Sequence, residues 1–474
     1  MSRIVQESIA AAVLAVCLFW SELALHTGSL AGSLMGELEA AFRDAQTQWM
    51  IMLCIVYAAV FWALRNGLAA TARRVFANSM DIWRVGFLLF SAAHYFLSYG
   101  KASHSRQAVT LLGCALLGSG VWVGVFWGGE PRRNERALRR LLIVLVVLLG
   151  MGCFWGSGAG ARFAYKDHER WHGPWDNPNL CGLLMASGVA LVTGLGVQGV
   201  RRGESHFSSA AFPRTWRRLG GSLVPMASTL AAGAAMAIGV LRSYSRGAWV
   251  GTFCGAGYLA WHACGPRRRG IENRGFHILK AWQFWRLRST WLLVALVLLS
   301  IVLLTFWNVR HAEAIVARRV MSVGNVNDFS WRNRVAAWEG AMQMIAEKPW
   351  FGFGWNRPEP VYDHFYRESK VSEAAAIQMN DYLTLGATLG VPALGCFGMY
   401  LYLALWRRVS CAGRGVPTAE TAGANSPISE ADWLKAVCRA GAIVLLVGFW
   451  FDGGLFRLAT AGTFWVLIEL GRED

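Results

Sequence analysis

The sequence predicts an all-α polytopic membrane protein of about 12 transmembrane helices, with one large, mainly helical extracytoplasmic loop. Three observations predict it. The 474-residue chain is 55% hydrophobic and only 16% charged, whereas soluble domains carry roughly 25% charged residues. Its apolar residues come in runs near the ~17–25 residues that span a bilayer. Its arginines crowd into alternate connections between those runs, as expected when basic loops stay on the cytoplasmic side.

The runs fall at roughly 7–25, 48–64, 85–99, 108–128, 141–157, 179–199, 222–241, 247–264, 290–307, 382–405, 438–453 and 456–470, each chosen by apolar length. The first lacks a small-residue cleavage site and reads as a span rather than a removed signal. The third and the last two are the shortest.

Orientation follows from the connections. Arg65, Arg73, Arg74 and Arg84 follow the second run, and Arg132, Arg133, Arg136, Arg139 and Arg140 follow the fourth. Further basic groups follow the sixth, eighth and tenth runs, at 201–218, 267–288 and 407–439. The intervening short connections hold far fewer, such as Arg43, or Lys101 and Arg106. This alternation places both termini in the cytoplasm and the long loop outside. It also accounts for the net charge of +17 without a nucleic-acid partner.

The chain reads as a single transmembrane domain, 1–474. The loop at 309–379 is inserted between the ninth and tenth spans. A Pro/Ala/Gly/Ser/Thr-rich stretch at 409–434 reads as a flexible cytoplasmic linker. The ten cysteines fall mostly in apolar runs and form no CxxC pair, so they read as small buried hydrophobes. The long loop is rich in aromatics, among them Trp331, Trp338, Trp350, Trp355, Tyr362 and Phe365. Disordered segments are poor in such residues, so the loop is expected to fold as a cap over a membrane-embedded site.

Five stretches carry candidate chemistry. Arg242-Ser-Tyr-Ser-Arg246-Gly-Ala-Trp249 lies between two apolar runs on the outer side. Arginines at that depth either snorkel to the interface or bind an anion. The planar guanidinium of Arg246 suits a phosphate, because it meets two oxygens at once. Arg334 opens a segment whose apolar residues recur at three- and four-residue steps, ended by Pro349. A cation near the positive end of a helix is poor dipole design, which hints at another task. Gly352 and Gly354 in Pro-Trp-Phe-Gly-Phe-Gly permit close backbone approach to a substrate. Asn179 belongs to Asp-Asn-Pro-Asn at the start of the sixth span, where turn chemistry is the alternative. Asn380 and Asp381 close the long loop; they either line the site or cap the tenth span. Asp167, His168, Glu169 and His172 have no recognised ligand spacing, so no metal site is expected.

Together these pieces resemble the O-antigen ligase and O-antigen polymerase superfamily of bacterial envelope glycan assembly. The resemblance rests on DNPN (176–179), SYSRGAWVG (243–251), RNRVAAWEGAMQMIAEKPWFGFGWN (332–356) and NDYLTLGATLGVPAL (380–394). It implies a membrane glycosyltransferase whose core resembles the metal-independent class C enzymes. Such an enzyme moves a glycan from a polyprenyl-diphosphate carrier to an acceptor hydroxyl on a glycan, lipid or protein. It works among membrane lipids at the outer side of the bacterial inner membrane, with no cofactor. By motif match the family's essential arginines fall on Arg246 and Arg334; Arg242, Asn179, Asn380, Gly352 and Gly354 would line the substrate. The family often carries His just before the Asn that opens the span after the loop, and here that position is Met379. His364 and Asp381 are the candidate replacements as catalytic base. Ligase and polymerase share the same donor and are not separable by these motifs. A transporter or flippase of lipid-linked saccharide is the alternative from another class, but it would place polar residues near the midplane.

Overall fold

The apolar runs fold as helices wherever the computed structural model describes them. The described residues are 8, 10–19, 79–98, 106–126, 131–155, 162–165, 168–175, 177–207, 231–264, 329–355, 357–367, 380–406 and 429–472. The expected spans at 48–64 and 290–307, the loop segments 309–328 and 368–379, and most of the 409–434 linker lie outside them. In chain order the elements are α1 (Ala10–Phe19), α2 (Ser79–Ser98), α3 (Arg106–Phe126), α4 (Pro131–Trp155), β1 (Arg162–Tyr165), β2 (His168–Trp171) and α5 (Pro178–Phe207). They continue with α6 (Ala231–Ser243), α7 (Arg246–Cys264), α8 (Phe329–Glu347), α9 (Pro358–Val361), α10 (Asp381–Leu389), α11 (Val391–Trp406), α12 (Glu430–Phe451) and α13 (Leu458–Gly471).

By length and composition α3, α4, α5 and α12 are able to cross a membrane, and α1, α6, α11 and α13 are shorter apolar helices. The all-α expectation holds for the described body of the chain, and one small hairpin is added to it. β1 and β2 pair as an antiparallel hairpin, with Phe163 opposite Arg170. The single span expected at 382–405 is corrected, because it divides into α10 and α11. Gly390 has φ 85°, and Pro392 lacks the N–H that a continuous helix needs there. Prolines and caps set several other boundaries. Pro131 and Pro178 open α4 and α5, where a missing N–H costs nothing. The Asn177 carboxamide oxygen accepts the Asn179 amide at 2.8 Å.

The described chain divides into two units, one of residues 1–142, 326–439 and 449–474, the other of 143–325 and 440–448. In the first, α3 packs along α13 and α11 along α2. The α3–α13 approach is close: a Cβ on Gly118 would stand 2.5 Å from the Trp465 carbonyl oxygen. Small residues allow such backbone approach between membrane helices. Phe87, Phe397, Tyr400 and Trp465 fill the centre, with Phe87 5.0 Å from Phe397 and Tyr400 5.7 Å from Trp465. Beside them lies a closed set of buried charges. Arg84 bridges Asp81 at 3.0 Å and Glu469 at 2.7 Å, and Arg472 bridges Asp81 at 2.8 Å and Glu469 at 3.0 Å. The Tyr400 hydroxyl donates to Glu469 at 2.8 Å.

In the second unit α5 packs on α7. Glycines again set the spacing. A Cβ on Gly251 would meet the Val444 carbonyl oxygen at 2.7 Å, and Gly448 faces the Leu183 side chain. The Ser187 hydroxyl donates to the Gly441 carbonyl at 3.2 Å.

Candidate functional site

In the first unit the site begins with the three- and four-residue periodicity of α8. Ala337, Ala341 and Met344 are buried with Tyr362 and Ala387, and Leu383 and Ile345 pack against them. Seating that face against α10 fixes the rest of α8, including Arg334. The Arg334 guanidinium donates to the Asp452 carboxylate at 3.0 Å. Their side chains are 11% and 2% exposed, so water screens the pair little. Asp452 stands just past the end of α12, in the Phe-Asp-Gly-Gly turn whose Gly453 and Gly454 have φ 72° and 137°.

Aromatic rings surround this pair. Trp338, one turn after Arg334, meets Trp331 at 5.6 Å and Trp450 at 5.7 Å, and Trp450 lies 5.9 Å from Tyr382. Several donors here are buried without a hydrogen-bond partner among the described residues: Asn333 Nδ2, Arg334 Nε, Trp338 Nε1 and Asn380 Nδ2. Unsatisfied buried donors are rare, and each calls for a physical reason.

Asn380 caps α10. Its side-chain oxygen accepts the Tyr382 and Leu383 amides, both at 3.1 Å. Asp381 is buried and accepts the Leu455 amide at 2.6 Å. It thereby ties the start of α10 to the turn that carries Asp452. Burial pushes its carboxyl up to about 7, against the lowering pull of the Leu455 and Gly454 amides and of Arg457. Asp381 stands immediately before the expected 382–405 span.

Gly352 and Gly354 were expected to approach a substrate, and their amides are instead engaged. Gly352 N–H donates to the Lys348 carbonyl at 3.0 Å and Gly354 N–H to Thr388 at 2.9 Å. A Cβ on Gly352, whose φ is 60°, would stand 2.5 Å from the Thr388 carbonyl. The glycines are thus explained by the docking of this turn on the end of α10. The Trp355 indole fastens the same turn to α2 through the Ser91 carbonyl at 3.2 Å. His364 is exposed on the single π turn Tyr362–Tyr366, edge-on to Phe365 at 4.6 Å. Its neighbour Asp363 faces Arg367 at 3.9 Å. Met379 lies outside the described residues.

In the second unit the Arg242–Arg246 segment is a tight turn between α6 and α7. Ser243, Tyr244 and Ser245 are buried, and Tyr244 has φ 52°, which a bulky residue seldom adopts. Ser245 caps α7, its hydroxyl accepting the Ala248 amide at 3.1 Å. Half-buried Arg246 is the first residue of α7, where a cation opposes the helix dipole. Arg242 is exposed, its guanidinium 6.0 Å from the Trp171 ring. Arg170 on β2 joins two parts of this unit. Its Nε donates to the Ser243 carbonyl at 2.8 Å and its terminal nitrogen to Asn179 Oδ1 at 2.7 Å. Asn179, read as substrate-lining, is the acceptor that orients Arg170.

Sequence reasoning missed Asp452 and Arg170. A signal existed for Asp452: it is the acid at the very end of the eleventh expected span, on the same expected side as the long loop. Arg170 had none beyond its place in an outer connection.

The described residues thus define a helical membrane protein with ordered, partly buried arginines set at the ends of apolar helices. Residues 231–398 match the family described as O-antigen ligase. That region holds SYSRGAWVG, the Arg334 helix, the Pro349–Gly354 turn and α10, and over it the chain is similar to that family. The match supports an O-antigen ligase-like membrane glycosyltransferase. No curated protein matches the chain.

Proposed function

We propose that this protein transfers a glycan from a polyprenyl-diphosphate carrier to an acceptor hydroxyl, as an O-antigen ligase does, at the outer side of the bacterial inner membrane. The observation that carries this reading is Arg334, held by Asp452 with its Nε donor buried and unsatisfied among the described residues, inside the region that matches the family.

The chemistry follows from the groups. Breaking the glycosidic bond leaves negative charge on a lipid diphosphate. Arg334 supplies a guanidinium group suited to that charge, and a preorganised cation at a poorly solvated position stabilises it without reorganising. Arg246 is by the family resemblance the second essential arginine, and its guanidinium suits the same kind of anion. Arg242 would add attraction for the anionic carrier. A base must take the proton of the acceptor hydroxyl, a contribution of about 10²–10⁴-fold. Asp381 fits this task better than His364. Its carboxyl titrates near neutrality, and it adjoins Tyr382, whose ring meets Trp450 beside the Arg334–Asp452 pair. No metal or cofactor enters this scheme.

A polymerase acting on the same donor would use the same groups. Deleting the gene separates the two: unattached lipid-linked polymer in the mutant indicates a ligase, and surface glycans shortened to single units indicate a polymerase. Unchanged surface glycans would count against both and in favour of a transporter of another cargo.

A further inference from the structure

We propose that Arg170 is a positioning residue for Arg246: by joining the Ser243 carbonyl to the Asn179 side chain, it fixes the turn from which Arg246 projects. The inference rests on the function proposed above and concerns the Arg246 part of the site alone.

The turn needs fixing. Its Tyr244 sits in the left-handed region, a costly conformation for a bulky residue that persists only when its surroundings over-determine it. The local bonds are short-range: Ser243 Oγ donates to the Val240 carbonyl at 2.7 Å, and the Tyr244 amide to Leu241 at 3.1 Å. These continue the end of α6 but do not tie the turn to α5. Two features do. Gly182 of α5 lies against the Ser243 and Ser245 side chains, where a Cβ would collide. Arg170 spans from the Ser243 carbonyl to Asn179 at the first turn of α5.

The geometry also requires arginine. Nε and a terminal nitrogen point in different directions on one rigid plane, so a single side chain holds two acceptors in fixed relation. A lysine ammonium keeps the charge but reaches both acceptors only by giving up that plane. The hairpin supports the arrangement, since Trp171, next to Arg170, faces the Arg242 guanidinium. Arg170 thus connects β2, the α6–α7 turn and the start of α5 within one unit.

Binding of polyprenyl diphosphate, the leaving group of the proposed reaction, tests this without knowledge of the acceptor. Full-length protein in detergent is titrated with the lipid, and thermal unfolding is followed in parallel. Arg170→Lys is expected to weaken binding at least tenfold with an unchanged melting temperature, the scale of effect produced by a misplaced binding group. Arg246→Ala is expected to weaken it at least as much. In the Arg246→Ala background, Arg170→Lys is expected to cost nothing more, because Arg170 acts through Arg246. Asn179→Ala keeps Arg170 but removes its second acceptor, and it carries the same expectation should the Lys variant fail to accumulate. If Arg170→Lys and Asn179→Ala bind like the parent while Arg246→Ala does not, the positioning role is wrong and the proposed function stands. Losses that simply add in the double variant also overturn it. If Arg246→Ala binds like the parent, the functional reading of this turn falls, and the role of Arg170 falls with it.

Discussion

Arg334 and Asp452 lie 118 residues apart in the chain and form a 3.0 Å ion pair that is almost wholly shielded from water. The pair joins the helix after the long loop's first segment to the turn between the last two helices. Removing one partner leaves the other charge buried and unmatched, which costs far more than an exposed pair would. Asp452→Asn keeps the shape and a hydrogen-bond acceptor but removes the charge. It is expected to lower transfer at least tenfold while protein still accumulates in the membrane. Asp452→Ala is expected to lower both. An assay of reconstituted protein, with membrane levels measured by immunoblot, checks this. Full activity of both variants would leave the pair with no part in the reaction.

The base is tested by the pH profile together with two substitutions. A base works only after losing its proton, so with the Asp381 carboxyl near 7 the transfer rate is expected to climb with pH and reach half its plateau around that value. Asp381→Asn should abolish the climb and most of the rate. His364, exposed and without an orienting acid among the described residues, should tolerate Ala. The opposite pattern, a dead His364→Ala and an active Asp381→Asn, would make His364 the base and leave Asp381 as the holder of the Leu455 turn.

The four charges Asp81, Arg84, Glu469 and Arg472 sum to zero inside the first unit. Glu469→Leu leaves two arginines facing one acid in a buried setting, and breaking such a pair costs about 3–5 kcal/mol. Thermal unfolding in detergent should show a large drop. Adding Arg84→Met restores neutrality, since Asp81 and Arg472 remain paired at 2.8 Å, so the double variant should be more stable than Glu469→Leu alone. A double variant less stable than the single one would show that apolar packing cannot replace the pair.

Much of this fold is legible in the sequence, for local reasons. The spacing of Ala337, Ala341 and Met344 gives both the helix and its buried face. Gly390-Val391-Pro392 contains the break between α10 and α11, but hydropathy averaged over the run hides it. The charges at 81, 84, 469 and 472 read as ends of spans, because nothing local says that four residues from opposite ends of the chain will meet. Gly352 and Gly354 announce close backbone approach, and sequence does not say that the approaching group is the end of another helix. The arginines at 246 and 334 were legible because a cation at a helix start is unfavourable without a further reason. The Arg170–Asn179 bond and the Asp452 partner of Arg334 were not, because each pairing is made by tertiary packing.

The alternation of arginines leads us to propose that the long loop lies outside. A single cysteine at Ser369→Cys, in protein freed of reactive native cysteines, is expected to react with an impermeant maleimide added outside intact spheroplasts. Labelling only after the membrane is opened would reverse the orientation and place the long loop in the cytoplasm.

The most direct test of the central claim is transfer by purified protein in liposomes. The donor is a polyprenyl-diphosphate-linked glycan and the acceptor is the lipid or glycan fraction of the source membrane. A transferase is expected to remove glycan from the carrier, with release of polyprenyl diphosphate and a new glycan–acceptor linkage, and Arg334→Ala is expected to yield at least a hundredfold less product, on the scale typical of a lost charge-stabilising group. Movement of intact lipid-linked glycan across the bilayer with its diphosphate linkage unbroken would contradict that claim.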